Sequence, residues 1–483
     1  MKQIKVIDDA FLRLESRRIP LHIGGLMVLK PEQDPHEVVM ALAEKMRQYT
    51  QPAVPYNRRV VTRRGKHFWK ETSDFDITQH FIHVALPKPG RYRELFSMVS
   101  RLHSGHLDRA FPLWTFYLIE GLQDGCFAVY FKIHHSVMDG ISMITSAIHS
   151  MSNDREKSKS IPPMWAMPSS SEMKQPQPVP VRRGGLRRIV RSFAREPIGS
   201  VKPVLREFRS NITDMVKKNP DFVAGGHGPR CVINQSVSAS RRFAAQSLSA
   251  TRIRSVARAC DGTSNDVILA ICGGALRQYL IELNDLPQLP LVAGVPVSIR
   301  RDNTSLGNEV AFTFAHLATD IEDPLERFKA IKACMDYNKQ HLKQLSPDQT
   351  IISAALKLLV PTIYYALTER DEDLTLGNIC ISHIPGPRET LYWQGAKLCG
   401  LYPASVLIDG SAINITVVSR HDYVDFGLVA CPKAMPKVQR ILTLMEQALN
   451  ELEQCVSVAL PHYEPVNQQV AVGGGFRTEL NAD

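Results

Sequence analysis

Apolar residues in the first third of the chain follow two different periods. The runs His22 to Leu29, Trp114 to Glu120 and Cys126 to Ile133 have strand length and are rich in aliphatic, β-branched and aromatic residues, which is the pattern of buried strands. Gly121 to Gly125 reads as the turn joining the last two. Between these runs the period changes. Asp34, Pro35 and Glu37 supply an N-cap, a first-turn proline and a capping glutamate, and Val38, Val39, Leu42, Met46 and Tyr49 form an apolar stripe behind them. A second amphipathic helix is expected over 91–104 and a third over 140–151. A helix or loop carrying Asp8, Asp9, Phe11 and Leu12 precedes the first strand.

The second half repeats the alternation. A strand near 241–248 leads into a helix from Ser249, and another helix opens at Ser264, Asn265 and Asp266 and runs to Leu283. The buried strand Leu291 to Val297 follows. Asp323, Pro324 and Glu326 then repeat the cap, proline and glutamate pattern at the head of a helix reaching Leu342. Strands over 376–382, 396–401, 411–419 and 424–430 and a helix over 435–454 complete the order. A chain of 483 residues exceeds what one core normally serves, and this order of elements predicts an α/β protein of two sandwich domains with a cleft between them. The divisions expected along the chain are 1–155, 156–235, 236–460 and a loose tail at 461–483. Residues 152–181, rich in Ser, Pro and Met, read as a linker or excursion.

Composition narrows the function classes. The formal net charge of +10 suits anionic lipid or phosphate-bearing small molecules as well as nucleic acid, but no nucleic-acid-binding module is recognisable, so no nucleic-acid partner is expected. Six arginines between 182 and 195 accompany Leu186, Ile189, Val190 and Phe193 at helical spacing. That segment reads either as a bridging helix with solvated arginines, the plainer reading, or as a strip lying on an anionic membrane or lipid-particle surface. The nine cysteines are scattered and form no close pairs, which points to a reducing, cytoplasmic setting. No signal-peptide core or membrane-spanning run stands out.

The most informative stretch is Lys132 to Gly140, with His134, His135, Asp139 and Gly140 in the spacing HHxxxDG. A strand ending in histidine sets an imidazole at a sheet edge, where it can face a cleft and take a proton from a hydroxyl at neutral pH. Adjacent residues at a strand end point to opposite faces, so joint metal ligation by His134 and His135 is awkward, and neither a metal nor another cofactor is expected. No G-x-S-x-G elbow supports a serine nucleophile.

The string HHSVMDG resembles the signature of the CoA-dependent acyltransferase superfamily. With Asp9-Ala10-Phe11-Leu12, Pro20 to Gly24, Pro112-Leu113-Trp114, Asn265-Asp266, Pro296 to Arg300, Gly307-Asn308 and Pro385-Gly386-Pro387 occurring in the family's order, the chain from about residue 7 to about 450 resembles the bacterial wax ester synthase/diacylglycerol acyltransferases. The resemblance implies two chloramphenicol-acetyltransferase-like domains with an interdomain tunnel, acyl-CoA as donor substrate, and a fatty alcohol or diacylglycerol as acceptor. It makes His135 the general base and His134 its positioning neighbour. It makes Asp139 and Gly140 structural, with Arg300 the candidate ion-pair partner of Asp139. Asn265 reads equally as helix-start chemistry or as a substrate contact, and Pro112-Leu113-Trp114 as a packing and turn element. Where relatives carry Asn before the Pro-Gly-Pro turn, this chain has His383, so Ser382 and His383 become candidates for the tunnel wall, and Asn265 and Ser382 for oxyanion donors. The competing expectations are a carrier-protein-dependent condensation enzyme and an inactive acyltransferase fold that binds lipid surfaces.

Overall fold

A computed structural model describes residues 1–167, 223, 228–298, 310–343, 374–375 and 377–459. Its first sheet has six strands. At its centre β2 (His22–Lys30) pairs antiparallel with β7 (Phe127–His134), which pairs in the same sense with β6 (Trp114–Glu120). The parallel strand β5 (Phe81–Ala85) forms one edge. The other side of β2 is occupied by β15 (Ala396–Ala404), with β14 (Tyr392–Trp393) outside it. Helix α2 (Pro35–Arg47) begins where the sequence places it, with the Asp34 carboxylate accepting from the backbone N–H groups of His36 and Glu37, and α3 (Tyr92–Ser104) also matches its expected span.

The second sheet, also of six strands, runs β11 (Val310–His316), β10 (Val292–Ser298), β13 (Ile379–Pro385), β16 (Ile413–Ser419), β17 (Tyr423–Ala430) and β9 (Arg242–Ser249). The β10–β13 and β13–β16 pairs are parallel and the others antiparallel. Helices α6 (Ala250–Ala259), α7 (Ser264–Glu282), α8 (Pro324–Lys343) and α9 (Gln439–Ala459) accompany it. Ser249 caps α6, and the Asp323 carboxylate accepts from the N–H groups of Leu325 and Glu326 at the head of α8. A strand pair, β8 (Gly228–Pro229) with β12 (Leu374–Thr375), is separate from both large sheets.

The two halves share one apolar core. Leu26, Val28, Leu95, Phe96 and Tyr130 from the first belong to the same cluster as Phe243, Leu248, Ile268, Phe426 and Leu449 from the second. Between them, α3 lies against β9, where Ser100 Oγ accepts from Phe243 N–H and Ser104 Oγ from Arg241 N–H, both at 2.8 Å. Strand β15 was legible as a strand but lies outside the sheet that its position in the sequence suggests. Residues from the second half complete the first sheet, so the division along the chain is not a division in space.

Other differences are local. The described part of the excursion expected from residue 152, residues 152–167, has defined structure. It holds α5 (Arg155–Ser160), and Trp165 is fully buried, its ring 5.5 Å from Trp114 and 4.9 Å from Phe116. A single large aromatic outweighs the polar composition around it because it removes so much apolar area from water. The hairpin β3 (Arg58–Arg63) and β4 (Lys66–Glu71), with β1 (Lys2–Gln3) on its edge, was not anticipated. Its many basic residues hide the alternation. Strand β13 begins three residues later than expected and so carries His383 within the strand. The basic segment 182–195 and the tail 461–483 lie outside the described residues.

Candidate active site

The alternation of β7 sorts its side chains. Phe127, Val129, Phe131 and Ile133 enter a cluster with α2 residues and Trp165, while Ala128 and Tyr130 enter the core shared with the second half. His134 is the last strand residue and sits opposite His22 of β2. Three backbone hydrogen bonds pin the turn that follows. His134 N–H donates to the Leu113 carbonyl, His135 N–H to that of Leu21 and Val137 N–H to that of His134, each at 2.9 Å. The family-like strings around Leu21 and Leu113 thus serve as backbone acceptors for the two histidines, and the packing role expected for Pro112-Leu113-Trp114 acquires a position in the site.

Asp139 is buried and caps α4 (Gly140–His149), its carboxylate accepting from Ser142 N–H at 2.7 Å. This is a structural role at a helix N-terminus. Its expected partner Arg300 lies outside the described residues. Gly140 opens the helix, and a methyl group built there would meet Ile384 Cδ1 of β13 at 3.9 Å. The motif therefore stands where elements of both sheets meet.

The two histidines differ sharply. His134 has no exposed surface. Its Nδ1 accepts from Ser136 N–H at 3.1 Å and lies 2.7 Å from Ser136 Oγ. Because a backbone N–H can only donate, Nδ1 is the unprotonated nitrogen and Nε2 carries the hydrogen. Nε2 faces Glu15 Oε1 at 3.5 Å. Glu15 also accepts from Leu21 N–H at 3.2 Å and pairs with Arg109 at 2.9 Å. Burial alone would raise this carboxyl, but His134, Arg109 and the Leu21 N–H outweigh it and hold it down at about 2. Glu15 is therefore a fixed negative charge behind His134.

His135 is half-buried, and the Phe11 ring of α1 (Val6–Leu14) stacks on its imidazole with centroids 4.3 Å apart and planes at 15°. Burial pushes the ring down to about 4, with the Asp139 carboxylate opposing the shift and His134 adding to it. At neutral pH the His135 ring is uncharged and able to accept a proton, while His134 is enclosed and held in one tautomer.

The other candidates are distributed around the second sheet. Asn265 lies in the first turn of α7 and is half-buried, and its side chain makes no hydrogen bond among the described residues. The helix-start role belongs instead to Thr263 and Asp266, whose side chains bond reciprocally to each other's backbone N–H. Ser382 and His383 are half-buried on β13, and His383 Nε2 lies 2.6 Å from Ser419 Oγ on the neighbouring strand. His383 is thus engaged within its own sheet. Gly386 has no room for a side chain, because a methyl group there would press on the Ser419 carbonyl and Val418; the Pro-Gly-Pro turn rests on this close approach. Among the described residues no group of three or more His, Cys, Asp or Glu side chains has the arrangement to hold a metal ion.

Glu15, Phe11 and Ser136 were missed by sequence reasoning. Ser136 lies inside the motif and was legible by position. Phe11 stands in the family-like string Asp9 to Leu12 but without an assigned role, and Glu15 carries no local signal, since both roles arise only when α1 folds back over the turn.

Comparison with known proteins bears on this geometry. Residues 4–268 match the wax ester synthase/diacylglycerol acyltransferase catalytic domain, and residues 306–453 the WS/DGAT C-terminal domain. The chain is 38% identical over 459 residues to the O-acyltransferase WSD of Acinetobacter baylyi, covering 95% of this chain and 98% of that one. It is 39% identical over 458 residues to a putative diacylglycerol O-acyltransferase of Mycobacterium tuberculosis, covering 94% and 99%. The solved wax ester synthase/diacylglycerol acyltransferase from Marinobacter aquaeolei VT8 superposes with a TM-score of 0.75 at 36% identity, covering 95% of this chain and all of that one. The first condensation domain of the calcium-dependent antibiotic synthetase superposes with a TM-score of 0.54 at 12% identity, covering 96% and 98%, a likeness of fold alone.

Proposed function

Because this chain belongs to the wax ester synthase/diacylglycerol acyltransferase family and is an O-acyltransferase, we propose that it moves a long-chain acyl group from acyl-CoA to a fatty alcohol or to the free hydroxyl of diacylglycerol, with His135 as general base. The observation that carries the assignment is the contrast within the histidine pair: His135 keeps exposed surface and a neutral ring, whereas His134 is enclosed between Ser136 and Glu15.

In this reading His135 takes the hydroxyl proton as the oxygen attacks the thioester carbonyl. The C–O bond forms, the carbonyl becomes a tetrahedral oxyanion, and collapse breaks the C–S bond. The departing CoA sulfur recovers the proton from His135. The oxyanion needs hydrogen-bond donors, and Asn265 and Ser382 are the candidates, Asn265 being favoured by an amide that no described residue engages. No acyl-enzyme forms, and no metal or other cofactor takes part. Asp139 acts through the helix it caps. Contact with a lipid surface belongs to the same proposal, since acceptor and product are lipids. No helix among the described residues is long and apolar enough to cross a membrane, and the basic, amphipathic segment 182–195 is the candidate for surface contact.

Purified protein given palmitoyl-CoA is expected to release free thiol when hexadecanol or a diacylglycerol is added, with no carrier protein present. Thiol release that required a carrier-bound acyl group would favour the condensation-type reading. Lipid binding without thiol release from any pair would favour the inactive one.

A further inference from the structure

A cavity of about 630 Å³ opens beside the C-terminal end of α1. Its lining includes Arg13, Arg17 and Arg109, His67 and His106, and Glu15. Three permanent positive charges therefore face one negative charge. Two of the three are already shared. Arg13 pairs with Asp9 at 2.7 Å and Arg109 with Glu15 at 2.9 Å. Arg17 is exposed and makes no ion pair among the described residues.

The cavity adjoins the reacting centre through two side chains. Glu15 forms part of its wall and also faces His134 Nε2. Phe11, one helical turn earlier, stacks on His135. A wall residue of the cavity and the stacking partner of the imidazole thus come from the same helix and its C-cap. Guanidinium groups offer forked N–H donors that suit phosphate oxygens. Of the substrates in the proposed reaction, the acceptor is a neutral lipid with nothing for these charges to meet. The thioester donor carries a diphosphate and a ribose phosphate at the far end of a flexible pantetheine arm.

We propose that this cavity binds the phosphate end of the CoA thioester, with Arg17 as its uncommitted anchor. The inference rests on the acyl-CoA reading above and adds the face by which the donor is held. Arg13 and Arg109 line the phosphate subsite while their carboxylate partners keep them in place. The acyl chain points past α1 toward His135.

The test uses the full chain and the variant Arg17→Glu, with Lys329→Glu on the distant helix α8 as a charge-reversal control. Adenosine 3′,5′-bisphosphate, which carries phosphate groups of the kind found in CoA but no thioester, is titrated calorimetrically. Wild type and the control are expected to bind it alike, and Arg17→Glu at least about tenfold more weakly. In turnover, the penalty of Arg17→Glu on kcat/KM is expected to be at least about tenfold larger with palmitoyl-CoA than with the palmitoyl thioester of N-acetylcysteamine, which has no phosphate. Equal penalties on the two thioesters would overturn the proposal, as would bisphosphate binding that ignores Arg17. Absence of acyl transfer beside Arg17-dependent binding of the bisphosphate would support the cavity and count against the acyltransferase reading, so the two failures are distinguishable.

Discussion

Replacing His135 with alanine is expected to lower turnover by at least about a hundredfold, the usual contribution of a positioned general base, while the protein stays folded. The residue is half-buried, and its contacts include the Phe11 ring, so the truncation removes a proton acceptor and a stacking partner. The check is thiol release from palmitoyl-CoA with hexadecanol, beside thermal melts of both proteins. A matched melt with a hundredfold slower rate is the expected result. The same substitution at His134 is less informative, because it leaves Glu15 facing a void with its buried charge and confounds chemistry with stability.

The second large effect is on folding. Gly427 of β17 faces Pro403 of β15, and a methyl group built at Gly427 would fall on the Pro403 carbonyl oxygen, well inside contact distance. Gly427→Ala therefore has to push β15 away from β17. Nearby, the Asp425 carboxylate accepts from Leu401 N–H at 2.8 Å and from Ser247 Oγ at 2.6 Å and is ion-paired with Arg420, so the strand is not free to give way. Overpacking of this kind costs about 3 kcal/mol. The variant is expected to unfold at lower urea concentration than wild type. Its loss of activity should track the displacement, because β15 pairs with β2 and β2 carries His22 opposite His134. Unfolding at the wild-type urea midpoint would mean that the two sheets are not locked together through this contact.

How much of this could be read beforehand depends on the range of the interaction. Helices α2 and α8 were placed by their Asp, Pro and Glu starts, and β2, β6 and β7 by runs of buried residues, since caps and periodicity are local. The partner of β15 was not legible, because an apolar strand announces its period but not which sheet it will join. Trp165 lay in a segment whose Ser and Pro content reads as linker, and only the aromatic cluster around Trp114 shows why it is buried. In the site, His134, His135 and Asp139 were visible as a motif. The restraint on His134 was only half visible: Ser136 lies two residues away, but Glu15 comes from the end of α1. Asp139 was read as the structural ion-pair partner of Arg300, which lies outside the described residues, and its contact with the Ser142 N–H as a helix cap was not foreseen. Asn265 was read as much for a cap as for a substrate contact, and the cap proved to be Thr263.

If the proposed base is the neutral imidazole at position 135, its protonation state sets the pH dependence of kcat/KM. Burial lowers that ring to about 4, so the proton-accepting form persists well below the usual histidine range near 6.5. The wild-type rate is expected to stay level from about pH 8 down to about pH 5.5 and to fall only as the medium approaches the lowered value, a limb that His135→Ala lacks. A wild-type profile with its midpoint at 6.5 or above, measured where the melt shows an intact fold, would contradict the assignment.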